Sequence, residues 1–590
     1  MRQFFKFMFA SMLGGLLSLA LILVIVVATL SALVKSSADE VVEISSNSIL
    51  KLELNSEILD RASKSPFSNF NFSSFKTSQQ MGLNDILKDI KKAKEDANIR
   101  GIYLELSTIP AGLATVEEIR NALLDFKTSA KFIVSYSEFY TQKTYYLASV
   151  SDAIFLNPAG DLDWRGLSSQ VLFFKGTLEK LEVEPQIIRH GKFKSAIEPL
   201  ILDKMSEANR MQTRTIVGSL WNHFLNEIAR MRKIQVQDLN QLANGLSINS
   251  AQDALAAKLI DKTLYYDQVE QDLKKRIGQA ESEKITFVSM RKYHQVANKS
   301  ISKSAKDKIA VIYAQGDIES GEGEENTIGS EKIAAAIRAA RLDEKVKAIV
   351  LRVNSPGGSA LASDVIWRET ILAKKAKPFV VSMGDLAASG GYYISCGADR
   401  IFASPTTITG SIGVFGVLLN AKKLMNNKLG ITVDTVNTNL HADFGSIYRP
   451  LSEDEKAVVQ HSVERVYSDF ISKVAAGRNK SIAEIDSMGQ GRVWSGVDAL
   501  KLGLIDEIGG LDKAIEAAAK LAKLSDFRIL NLPKQKDALE QIINDFSGDA
   551  ELKLLKSELG ESYSFVRQVQ SLAKSNNSIQ ARMEYYLEIY

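Results

Sequence analysis

Ala348-Ile349-Val350-Leu351-Arg352-Val353 carries the same apolar pattern as Gly101-Ile102-Tyr103-Leu104-Glu105-Leu106, at an offset of 348 − 101 = 247. Moving outward, the offset lays Phe132-Ile133-Val134-Ser135 on Phe379-Val380-Val381-Ser382 and Tyr145-Tyr146 on Tyr392-Tyr393. It also lays Asp152 on Asp399, Pro158 on Pro405 and Gly166 on Gly413. One register kept across apolar runs and turn residues alike marks a tandem duplication. Within each copy short β-branched runs alternate with amphipathic ones: Lys347 to Val353 reads as strand, Ala362 to Lys374 as helix and Pro378 to Met383 as strand. That alternation predicts parallel β-α-β units in layers, an α/β fold.

The totals agree with more than one body. A chain of 590 residues exceeds a single core and suggests about two to four domains. The duplication places them at 46–300 and 308–525. Asn298 to Lys308, polar and rich in Ser and Lys, reads as the junction, and Ala62 to Gln80 as a loop close to a membrane. Residues 526–590, with Leu552, Leu554, Leu555 and Leu559 at helical spacing, read as a helical appendage. A net charge of +3, spread along the chain, gives no electrostatic reason to expect a nucleic-acid partner. Cys396 is the single cysteine, and the five histidines, His190, His223, His294, His441 and His461, show no pair at the i, i+4 spacing of a helical metal site. The expectation is no disulfide, no metal and no cofactor.

From Phe7 to Val34 no residue is charged. A helix of that length rises about 40 Å against a hydrocarbon core of roughly 30 Å, so residues 1–38 are expected to form a cytoplasmic N-terminus and a transmembrane signal anchor. The competing reading is a cleaved export signal ending at Ser36-Ser37-Ala38, but cleavable apolar regions run only about 7 to 15 residues. Arg2 and Lys6 outweigh Lys35 with its neighbours Asp39 and Glu40, which leaves the short N-terminus in the cytoplasm and the body outside. In a bacterium with two membranes that body lies in the periplasm, held to the inner membrane.

Positions at which the two copies differ cannot be explained by the shared fold. Asn354-Ser355-Pro356-Gly357-Gly358 stands where the first copy has Ser107-Thr108-Ile109-Pro110-Ala111-Gly112. Ala387-Ala388-Ser389-Gly390-Gly391 falls opposite Tyr140-Thr141-Gln142-Lys143-Thr144. A glycine pair after a strand ordinarily does no more than turn the chain. Two such turns, both missing from the sister copy, instead suit a serine nucleophile, which needs an exposed hydroxyl on a tight turn and backbone N–H groups aimed at an oxyanion. Ser389 is the candidate nucleophile, and the N–H groups of Gly358 and Gly390 are the candidate oxyanion donors. The residues alone leave the base open: His441 and His461 lie in the same half, with no motif linking either to a carboxylate.

These two motifs, with Thr409-Gly410-Ser411-Ile412-Gly413 and Lys192-Phe193-Lys194-Ser195-Ala196-Ile197-Glu198-Pro199, closely resemble the long, duplicated form of the signal peptide peptidase A family, peptidase family S49. The resemblance covers most of the chain. It implies two tandem domains of the ClpP and crotonase kind and a Ser-Lys dyad, with Ser389 as nucleophile, Lys194 as general base and Ser411 orienting the lysine. Lys192 lies outside the Lys-Ser-Ala-x-Glu-Pro motif that begins at Lys194 but, on an extended chain, would face the same side as Lys194. The resemblance also implies a serine endopeptidase that degrades apolar signal peptides left in the membrane after export, without cofactor, as a homotetramer. Two other readings stand beside it: a crotonase-like enzyme acting on acyl-coenzyme A, and a non-catalytic membrane-tethered scaffold. With the base in one copy and the nucleophile in the other, neither half is expected to work alone.

Overall fold

The computed structural model describes residues 2–36, 43–62, 70–71, 76–77, 81–296, 305–324, 326–535 and 579–583. Most of the expected membrane-proximal loop, most of the junction and most of the expected helical appendage, with Leu552, Leu554, Leu555 and Leu559, lie outside these residues. The first half is a six-stranded parallel sheet. Its strands run in the spatial order Lys262–Thr263, Ala153–Leu162, Phe132–Tyr140, Ile99–Glu105, Ser48–Leu52 and Phe287–Ser289. The second half repeats that order with Glu507–Ile508, Arg400–Ala403, Phe379–Ala388, Val346–Ser355, Lys308–Gln315 and Arg528–Leu532. Helices cover the faces, so the central strands are buried on both sides and read as continuous Val, Ile and Leu runs, as a parallel sheet requires.

The duplication is visible atom by atom. Tyr145 Oη donates to the Leu259 carbonyl at 2.6 Å, and its counterpart Tyr392 donates to Leu504 at 2.8 Å. Asp261 accepts from Ile154 N and pairs with Arg232, just as Asp506 accepts from Ile401 N and pairs with Arg478. The strands and helix expected at 347–353, 362–374 and 378–383 form as Val346–Ser355, Ala360–Ala376 and Phe379–Ala388. The last strand outruns the expectation by five residues because Leu386, Ala387 and Ala388 leave Arg400–Ala403 and pair with a further strand, Ile408–Gly410.

Two features differ from the sequence reading. Within 526–590 the described residues form strands: Arg528–Leu532 extends the second sheet beside Lys308–Gln315, and Ile579–Arg582 joins a third sheet. The halves are also interwoven. The third sheet runs Ile328–Gly329, Ile318–Glu319, Gly357–Ser359, Ile579–Arg582, Val414–Asn420 and Glu184–His190, so a first-half strand pairs along its whole length with a second-half one. The backbone is helical over Arg2–Ser36, the segment expected to be an anchor. Its side chains after Ile22 lie outside the described residues, and among those described no helix is long and apolar enough to cross a membrane.

On the strand Val346–Ser355 of the second sheet, Arg352 is fully buried and ties the halves together. Its guanidinium donates to Asp60 and Glu118 of the first half and to Ser382 and the Met383 carbonyl of the second. The other Glu118 oxygen accepts from Leu511 N. Asp385 adds a second tie by accepting from the backbone and hydroxyl of Thr115.

Candidate active site

Ser389 follows the long strand Phe379–Ala388 and precedes the short helix Gly390–Ser395. Its φ of 54° and ψ of −110° lie in a region that a side chain disfavours, at a cost of about 1–3 kcal/mol. Neighbouring bonds hold it there: Ser389 N donates to the Gly410 carbonyl at 2.8 Å, and its own carbonyl accepts from Tyr393 N at 2.8 Å. The strained turn aims Oγ away from the sheet, towards the loop that brings Lys194.

That loop is built by the first half. The strand Glu184–His190 pairs antiparallel with Val414–Asn420, His190 opposite Val414, and the chain then turns at Gly191, where φ is 103°. A Cβ on Gly191 would stand 2.5 Å from the Gln490 carbonyl oxygen, and one on Gly491 would stand 2.6 Å from Lys194 Cα. The loop therefore seats directly on second-half backbone, where Phe193 N donates to Gln490 O at 2.9 Å. Lys194 Nζ lies 3.0 Å from Ser389 Oγ and 3.1 Å from Ser411 Oγ, and Ser389 Oγ donates to the Gly413 carbonyl at 3.3 Å. Ser389 is 0 % exposed and Lys194 1 %. Ala196, Ile197 and Leu200 pack with Phe415 and Val417 beside the amine, whose Nζ is 5.8 Å from the Phe415 ring centre. Ser411, also at positive φ, is fixed by its N–H to the Arg492 carbonyl at 2.7 Å.

Lys192 is exposed while Lys194, at φ −73° and ψ 80°, is buried at the entry to the 3-10 turn, so the same-side placement expected of an extended chain does not hold. His461 is exposed, and His441 is half-exposed and paired with Glu455 at 3.1 Å. Cys396 is buried, and burial pushes its thiol up to about 12.

The glycine turn meets the start of the serine helix through Gly357, while the candidate oxyanion donor Gly358 packs against Ile318. A Cβ on Gly357 would lie 2.7 Å from Gly390 N, and one on Gly358 would lie 2.0 Å from the Ile318 carbonyl oxygen, so neither position has room for a side chain. The same notional Cβ of Gly357 would lie 2.2 Å from the Ala581 carbonyl oxygen. Ala581 belongs to the strand Ile579–Arg582, which pairs antiparallel with Gly357–Ser359 on one side, Gly358 opposite Ala581, and with Phe415 and Gly416 on the other. The next residue, Met583, donates its N–H to the Pro356 carbonyl at 2.7 Å and sits among Ile216, Leu220, Ala388, Ile408 and Val493. The chain's own tail thus lies as an extended peptide between the glycine turn and the strand beside the lysine. Sequence reading missed this strand, although Ile-Gln-Ala-Arg-Met alternates apolar and polar as a half-buried strand does. It also missed Glu198, Asn209 and Gln212, buried polar residues beneath the Lys194 loop.

The chain is similar to known proteases over most of its length. The model of peptidase family S49 matches residues 125–280 and 371–525, and that of Clp protease matches 300–409. Protease 4 of Salmonella typhi is 39% identical over 486 residues, which cover 81% of this chain and 78% of that protein. Protease 4 of Haemophilus influenzae is 36% identical, covering 74% and 72%. The chloroplastic serine protease SPPA of Arabidopsis thaliana is 34% identical, covering 81% and 72%.

Proposed function

Because the chain belongs to peptidase family S49 and is a serine peptidase, we propose that it cleaves extended apolar peptides with a Ser389–Lys194 dyad whose members come from opposite halves. The observation carrying this reading is the 3.0 Å approach of Lys194 Nζ to Ser389 Oγ in a buried pocket. Neutral Lys194 accepts the Ser389 proton as Oγ bonds to the substrate carbonyl carbon. The carbonyl π electrons move onto oxygen, and the N–H groups of Gly358 and Gly390 receive that oxyanion. Collapse expels the amine, which takes the proton from Lys194. Water, deprotonated by the same lysine, then hydrolyses the acyl-enzyme. Ser411 Oγ, 3.1 Å from Nζ, holds the amine beside Ser389. A free lysine, with a pKa of about 10.4, is almost wholly charged near neutrality, and its burial here withholds water from the charged form, the direction a base requires.

The docked tail supports a polypeptide as ligand rather than acyl-coenzyme A. Main-chain pairing on both edges is how an extended peptide is held, and the pocket around Met583 suits an apolar side chain. Signal peptides left after export fit that chemistry. The exposed Phe4, Phe5, Phe7, Phe9, Leu13, Leu16 and Leu17 of the first helix support tethering to a membrane, with the body in the periplasm of a two-membrane bacterium. The scaffold reading has no use for a strained serine. A homotetramer remains the assembly we expect, and sedimentation in detergent tests it.

The function is tested by incubating the full chain with a synthetic apolar signal peptide and following fragments by mass spectrometry. The parent yields internal cleavage products, whereas Ser389→Ala and Lys194→Ala yield none. Cleavage by both variants at the parental rate contradicts the dyad. Saturable binding of an acyl-coenzyme A without peptide cleavage favours the crotonase-like alternative.

A further inference from the structure

The Lys194 loop has no regular secondary structure to hold it until the 3-10 turn Ser195–Ile197, yet its amine must meet two hydroxyls carried by the other half. The group that spans this gap is Gln212, 1 % exposed, on the first-half helix Glu207–Arg232. Its Nε2 donates to the carbonyl of Phe193 at 3.1 Å and to Ser195 Oγ at 2.8 Å, gripping the residues on either side of Lys194. Its Oε1 accepts from Val493 N at 3.4 Å. Val493 pairs with Gly410 on the strand that leads into Ser411, and its neighbour Arg492 supplies the carbonyl that fixes Ser411 N. One primary amide therefore bridges the carrier of the base and the carrier of its hydroxyl partner. A carbonyl at Phe193 and an N–H at Val493 demand a donor and an acceptor on one side chain, which a carboxylate, an amine or an apolar residue does not supply.

The bridge is itself built in. Asn209, one turn earlier, presents its Oδ1 to Gln212 Nε2 at 3.3 Å and donates its Nδ2 to Glu198 at 2.9 Å. Glu198 also accepts from the backbone and hydroxyl of Ser206, the N-cap of the helix. Glu198, Asn209 and Gln212 are all buried, so the polar row carries the lysine loop on a rigid base. The other charged groups around the loop are Arg189, which donates to the Lys194 carbonyl at 3.4 Å, and Arg492, stacked between Phe193 and Trp494.

We propose that Gln212 is a positioning residue for the dyad, locking the Lys194 loop against the Val493 strand so that Nζ stays between Ser389 and Ser411. The assignment rests on the dyad reading above. Gln212→Met keeps the size of the side chain and removes both ends of the bridge. With a fluorogenic apolar peptide and the full chain, it lowers kcat at least 10-fold and leaves KM within threefold. It also moves the acid limb of the kcat profile to higher pH, because a released amine regains water and holds its proton more tightly, so raising the pH restores part of the lost rate. No loss, or the same loss at every pH, overturns the proposal. Should Gln212→Met fail to fold, Gln212→Leu, uncharged and equally unable to bridge, is read by the same pH shift. Lys194→Met separates the two readings. If it turns over at the parental rate, the dyad falls and this proposal with it; if it is inactive while Gln212→Met keeps the parental profile, only the Gln212 assignment falls.

Discussion

Ser389 pays a conformational cost that its neighbours in the strand do not. At φ 54° and ψ −110° the Cβ is what makes the backbone unfavourable, so Ser389→Gly should stabilise the fold by about 1 kcal/mol while abolishing peptide cleavage. Thermal unfolding checks this, since Ser389→Ala keeps the Cβ and should not gain. Cys396 gives a contrast at the same scale. Its Sγ donates to the Tyr393 carbonyl at 3.2 Å within the core, and a thiol pushed up to about 12 stays protonated at pH 8. Ellman's reagent should leave the native protein unmodified and react once it is unfolded; fast labelling of the native state would contradict that burial. Ser389 could be read from the sequence because the first copy offers Gln142 at the same register and so acts as an internal control. Gln212 was not legible, because a glutamine on an amphipathic helix ordinarily faces water, and only the docking of another element makes it a bridge.

Elements explain why two lysines so close in sequence meet different fates. The antiparallel pairing of Glu184–His190 with Val414–Asn420 fixes where the chain leaves the sheet, and Gly191 turns it so that Lys194 enters the pocket against Gly413 and Gly491. No local pattern in the sequence encodes that pairing, since its partner lies more than two hundred residues away and Glu184–His190, with only Ile187 and Ile188 apolar beside a proline and four polar residues, carries no clear strand signal of its own. The strand Ile579–Arg582 is a second element-scale device: it fills the groove a peptide would need and leaves Ser389 wholly covered. A chain ending at residue 578 should have a lower apparent KM, by ~10-fold if the groove is otherwise open about a tenth of the time. Steady-state kinetics on the shortened chain measure it, and an unchanged KM would mean that the strand leaves the groove freely. The sequence did carry a signal for this strand in its two-residue alternation, but the leucine spacing just upstream pointed to helix.

At the scale of the molecule, the proposed base lies in one copy of the duplication and the proposed nucleophile in the other. Both copies keep the sheet order and the Tyr and Asp bonds that bind helices to strands, and this is why the α/β architecture could be read from a single repeated offset. The interweaving of the halves had no such signature. Arg352 sits fully buried between Asp60 and Glu118, and removing one partner of a buried charge cluster costs about 3–5 kcal/mol. Arg352→Met should therefore lower stability by about that much in a urea titration and reduce activity through misalignment of the dyad, whereas a loss below about 1 kcal/mol would show the clamp to be ornamental. On the proposed mechanism a lysine from one half activates the serine of the other. The most direct test is the second-order rate at which a fluorophosphonate labels Ser389 in the full chain and in Lys194→Ala. Labelling of Lys194→Ala should be slower by about 10²–10⁴-fold, the usual contribution of a positioned base, with the same thermal midpoint. Labelling of Lys194→Ala at the parental rate would contradict it.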